Sequence, residues 1–242
     1  MNDWNRMRVL LVAVAAMALA VAPTIGQDAA DTDEVDAKAS LESATPQPSE
    51  IPIDWQFEFE PLHEPRPIRF RPPGLDADRT YWYVQYEVAN RTGEEHDFIP
   101  DFTLYTDTGQ ILKGGSGVPT GVAKKVKELY NAPLLLSSSQ ITGKLLQGAD
   151  NAKRGVVIFE DIDPAAGGFT IFVGGLSGET QTVELPRPVV MPEVNAEGQT
   201  VMVKKNKVTL ARTLALTYDL PGEAASRTLT QPRLLRKYWV MR

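Results

Sequence analysis

The chain has 242 residues, 43% of them hydrophobic, so it can bury a core of ordinary domain size with room left for extensions. It contains no cysteine, which excludes disulfides, zinc–thiolate sites and thiol nucleophiles. The formal net charge of -6 conceals an acidic body and a basic end, with nine basic against two acidic residues after position 197. A basic stripe on a neutral or basic body, the footprint of a nucleic-acid domain, is missing.

Residues 1–26 read as a signal peptide. Arg6 and Arg8 precede an unbroken apolar run from Val9 to Val21, and small residues follow. The run is too short for a comfortable membrane crossing, which takes about 20 apolar residues. The expectation is an exported protein, secreted or periplasmic, with no integral membrane span after cleavage. Residues 27–50 hold seven acids and one lysine and show no apolar period, which predicts a disordered acidic linker. Residues 51–242 are then a single β-sandwich domain.

Within that domain, alternation from Tyr81 to Val88 and again from Phe98 to Tyr105 predicts two strands, and the polar turn between them predicts an antiparallel hairpin. Trp82, Val84, Tyr86 and Val88 share one face, and Tyr81 and Tyr83 the other. Pro100 argues for an edge position or a bulge in the second strand. After the loop GGSGVPTG at Gly114–Gly121, Val122, Val126, Leu129 and Tyr130 fall at helical spacing, and Pro133 stops the helix. Short strands are expected over Gln140–Leu146, Val156–Phe159, Phe169–Val173 and Thr180–Leu185. The uninterrupted apolar run at 156–159 fits a strand covered on both sides. Pro186–Gly198 reads as a proline-rich connector. Val208, Leu210, Leu214, Leu216 and Tyr218 share a face that Arg212 interrupts, so Arg212 should reach solvent or a carboxylate. Strands at this spacing with one short inserted helix predict a mainly β fold, an immunoglobulin-like antiparallel β-sandwich.

No reaction motif is complete. Gly121 is followed by Val122-Ala123 where a phosphate loop needs Lys and Ser or Thr. Gly175-Leu176-Ser177-Gly178-Glu179 lacks the last glycine of a nucleophile elbow. Asp161 and Asp163 lack the remaining ligands of an EF-hand loop, His96 sits among acids in a turn, and His63 in a proline-rich connector. The expectation is a non-enzyme with no cofactor and no metal. Tyr81, Tyr83 and Tyr105 fall opposite the main core face. Left uncovered, they form an aromatic patch that binds sugars or proteins; covered by the helix, they are core.

The stretches YWYVQYEVANRTGEEHDFIPDFTLYTDTG, LLQGADNAKRGVVIFEDIDP, FTIFVGGLSGET and RTLALTYDLPGE, with the terminal WVMR, resemble an uncharacterised family of secreted bacterial proteins. More loosely they are similar to the immunoglobulin-like domains of exported bacterial proteins. The looser similarity implies an immunoglobulin-type sandwich, and a tethered sandwich without catalytic motifs gives the expectation of a binding or structural module of the cell envelope whose partner is an envelope protein or a glycan. The resemblance brings no functional residues with it.

Overall fold

Alternation of apolar residues along β3 (Arg79–Ala89) gives the strand two buried faces, and the fold is layered around it. The computed structural model describes residues 47–49, 54–223 and 230–242. The predicted leader at 1–26, and the predicted acidic linker at 27–50 apart from 47–49, lie outside the described residues. Thr45–Arg242 clusters as one unit. It is mainly β, built from antiparallel sheets with few helices.

The first sheet centres on β3. Along one of its sides run β1 (Glu58–Pro61) and β2 (Arg66–Phe70), which pair with opposite ends of β3. On the other side lies β9 (Lys153–Phe159), followed by the short parallel β7 (Leu136–Ser137). The second sheet runs β6 (Ile111–Lys113), β5 (Asp101–Thr106), β10 (Gly168–Gly174), β12 (Thr200–Asp219), with β13 (Arg233–Met241) also on β12. A further strand, β11 (Thr180–Val194), pairs with the first half of β12. A small ladder joins β4 (His96–Phe98) to β8 (Gly143–Leu145).

The two sheets enclose one core. Trp82, Val84, Tyr86 and Val88 from β3 and Val157 and Phe159 from β9 meet Phe102, Leu104, Phe169, Ile171, Leu214 and Tyr218 of the second sheet. Each such side chain contributes roughly 1.5–3 kcal/mol by leaving water. The opposite face of β3 and β9 is covered by α1 (Thr120–Leu129), where Val122 and Val126 pack on Tyr81, Tyr83, Val156 and Ile158. Both faces of β9 are therefore buried, as its unbroken apolar run predicts. Gly121 permits the close approach: a Cβ there would stand 2.5 Å from the Phe70 ring. Of the four apolar helix positions, Val122 and Val126 are buried while Leu129 stays exposed.

The expected hairpin from Tyr81 to Gly109 is not formed. β3 and β5 belong to different sheets and face each other across the core. The intervening segment crosses between sheets, carrying β4 on the way, and Pro100 lies between β4 and β5 rather than inside a strand. Asn90 holds the crossing: its amide donates to the Glu94 and Leu145 carbonyls at 2.8 Å each. Two further expectations are corrected. Gln140–Leu146 divides into the helical turn α2 (Ser138–Ile141), held by a capping box from Ser137 and Gln140, and β8. Pro186–Gly198 is not a connector, because β11 runs on through Val194.

Candidate functional site

β11 and β12 form a two-stranded ribbon. Thr180–Glu184 pair with Lys207–Ala211, the register shifts across Leu185–Pro188, and Val189–Val194 pair with Thr200–Lys205. At about 3.3 Å per residue, Thr200 to Ala211 spans roughly 36 Å. The turn at its tip follows from sequence: Gly198 takes φ +77°, and the Asn195 side chain accepts from the Glu197 and Gln199 backbone N–H groups. Valine-rich segments on either side supply the β-branched surface that strands favour.

Near the body the ribbon has a half-buried apolar face with Val183, Val208 and Leu210, but its distal half has no such division into a core face and a solvent face. Val189, Val190, Met191, Val194 and Met202 are all exposed, Val194 to 66% and Met202 to 65%. Adjacent exposed residues 189, 190 and 191 necessarily point to alternate faces, so apolar groups lie on both. Glu193–Lys205 at 2.8 Å and Glu184–Lys207 at 2.9 Å tie the strands together. A bare two-stranded ribbon is marginal in water, and large exposed apolar patches are a feature that interaction surfaces commonly share.

Its foot is rigid. Arg212 donates to the Glu179 carboxylate at 2.7 Å, Glu179 is buried and Arg212 largely so, and the Arg212 guanidinium lies 4.8 Å over the Trp239 ring. The Ser49 backbone N–H donates to the same carboxylate at 2.7 Å. Arg212 thus meets a carboxylate, one of the two outcomes its position on an apolar face implies.

Against protein-family models, curated proteins and solved structures, the chain matches none.

The three tyrosines singled out from sequence are not brought together. Tyr81 and Tyr83 are 3% and 2% exposed beneath α1, so they form no solvent-facing patch. The reason is the apolar stripe of the helix, which needs a partner surface and finds it there. Tyr105 lies on the far side of the molecule, on the outer face of the second sheet. That face carries Phe172 and Tyr238 in one row with Thr103 and Ala215. Arg242 lies 4.7 Å over Tyr105 and 4.6 Å over Phe172, and it bonds the Tyr105 hydroxyl.

A polar–aromatic cluster joins Tyr83 to residues from two other elements. The Tyr83 and Tyr130 hydroxyls are 2.9 Å apart, Arg66 donates to Tyr130 at 2.9 Å, and His63 stacks on the Tyr130 ring. Burial pushes the Tyr83 phenol far up and pulls the His63 imidazole down. The Tyr83 phenol therefore stays protonated near neutral pH. His96 stacks on Trp55 with ring centroids 4.4 Å apart, which removes it from the solvated turn. Asp161 accepts from the Trp82 indole of β3 at 3.2 Å and Asp163 from the Ala165 N–H of its own loop at 2.9 Å, so both carboxylates have structural partners.

The ribbon is the feature that sequence reasoning passed over. Its signal is present: Asn195-Ala196-Glu197-Gly198 between two Val-rich runs is a hairpin pattern. Pro186, Pro188 and Pro192 obscured it, since proline is read as ending a strand.

Proposed function

We propose that this chain is an exported, non-catalytic binding module of the cell envelope, with an immunoglobulin-like sandwich as its body and the β11–β12 ribbon as its contact arm for another protein. The observation that carries this is the ribbon itself, whose large apolar side chains stand exposed on both faces. Its buried Glu179–Arg212 foot fixes it to the body. The two-sheet core supports the sandwich reading, and the leader pattern at 1–26 supports export. The test removes the arm without touching the core, by joining Glu184 to Lys207 through Asn-Gly. The expected result is an unchanged circular-dichroism melt and loss of the crosslinked complex that the intact chain forms in envelope extracts. The same complex formed without the arm would overturn the proposal.

A second reading, glycan binding, now rests on Tyr105 with Phe172 and Tyr238, which share the outer face of the second sheet. The rings are half-buried beneath Arg242 and Arg236, so a sugar face would stack on them only by displacing those side chains. Loss of glycan-array binding in Tyr238→Ala would support it, and an array without hits would remove it.

A further inference from the structure

The two outer edges of the distal ribbon are unlike. At the tip the Asn195 N–H donates to the Gln199 carbonyl at 2.9 Å. Bonded and non-bonded pairs alternate along an antiparallel ladder. Glu193–Val201, Met191–Val203 and Val189–Lys205 are therefore bonded pairs, while Val194–Thr200, Pro192–Met202 and Val190–Lys204 are not. Residues of non-bonded pairs turn their backbone groups outward. On β11 this places Pro192, which has no N–H, on the outer edge, and Pro186 and Pro188 follow at the register shift. Prolines of this kind blunt an edge against further pairing. On β12 the outward groups belong to Thr200, Met202 and Lys204, and β12 contains no proline.

That side of β12 is already a pairing side. β13 occupies it from Asp219 to Arg212, and the ladder ends where Ala211 and Arg242 exchange bonds of 2.8 and 3.0 Å. Beyond this point, among the described residues, Thr200–Leu210 pair only with β11. The open stretch carries Lys204, Lys205 and Lys207. Glu193 and Glu184 hold two of them, whereas Lys204 has no carboxylate within ion-pair distance among the described residues.

Building on the proposed binding role, we infer that the open edge of β12 takes up an extended, acidic segment of a partner protein as an added strand, collinear with β13. Backbone groups of Thr200, Met202 and Lys204 supply the ladder, and the lysines select carboxylates beside it. The lysines also disfavour a second copy of this chain. Full antiparallel overlap of two such edges brings Lys204, Lys205 and Lys207 of both copies together, and like charges across a ladder are destabilising. One edge is thus closed by proline, and the other is open but filtered by charge.

The test uses the full chain and a synthetic ten-residue peptide alternating valine and glutamate, against the same peptide with lysine for glutamate. The acidic peptide should bind at least about tenfold more tightly and slow amide exchange at Thr200, Met202 and Lys204. Lys204→Glu should weaken it by about tenfold. Met202→Pro removes one outward N–H but no β11–β12 bond, and should weaken binding about fivefold with the melt unchanged. Equal binding of the two peptides would overturn the inference, as would protection confined to other residues. So would a dimer in sedimentation whose contact protects this edge. If truncating the ribbon abolishes partner capture while Met202→Pro and Lys204→Glu retain it, the contact arm stands and strand addition falls.

Discussion

At the foot of the ribbon a carboxylate and a guanidinium are withdrawn from water, Glu179 to 7% and Arg212 to 11% side-chain exposure. Removing one partner strands the other charge, which costs about 3 kcal/mol, whereas replacing both by apolar groups costs far less. Glu179→Ala should therefore lower the urea midpoint markedly, and Glu179→Leu with Arg212→Leu should recover most of the loss. A midpoint unchanged in the single variant would show that the pair holds nothing. His63 makes a separate prediction. Its Nδ1 meets the Glu64 carbonyl at 2.6 Å, and its buried Nε2 has no partner among the described residues. Burial, chiefly, with the Arg66 charge adding to it, lowers its pKa below the usual 6.5. A depressed histidine pKa contributes stability that is present above about 6.5 and is lost as the pH falls through the lower folded value. The melting temperature should drop between about pH 7.5 and pH 5, and His63→Gln should remove that part of the drop.

Single elements explain how far the sequence could be read. Alternation along β3 and β5 is a statement about which face is buried, and both faces were placed correctly. It says nothing of which sheet a strand joins, because two strands facing each other across a core show the same pattern as two neighbours in one sheet. The distance between them was the missed clue. Eleven residues from Asn90 to Pro100 are too many for the two- to five-residue loops of ordinary hairpins, and they carry β4. In the ribbon the error ran the other way. Proline ended a strand on paper, yet Pro192 sits in a non-bonded pair, where its missing N–H costs the ladder nothing. This makes proline tolerance a test of the pairing. Met202→Pro should leave the ribbon intact, whereas Val203→Pro removes a bonded N–H and should expose Lys204 and Lys205 to trypsin. Equal cleavage of the two variants would show that the bonded pairs are otherwise placed.

Across the whole molecule, burial separates what maintains the fold from what is free to act. Tyr81 and Tyr83 hold α1 on the first sheet, and His63, His96, Asp161 and Asp163 are each engaged in structural contacts. Among the described residues, what the fold leaves uncovered is the distal ribbon, whereas on the second sheet Tyr105 and Phe172 lie under Arg242 and Tyr238 under Arg236. The sequence marked Tyr105 but not the ribbon, since exposure of alternate valines on both faces becomes visible only when nothing is found to cover them. The two surfaces are distinguished by a photo-crosslinking amino acid placed singly at 190, 194 and 202 on the ribbon and at 105 and 238 on the sheet, followed by irradiation in envelope extracts. The account predicts one discrete protein adduct from the ribbon positions and none from the sheet positions. Adducts at 105 and 238 without any at 190, 194 or 202 would contradict it.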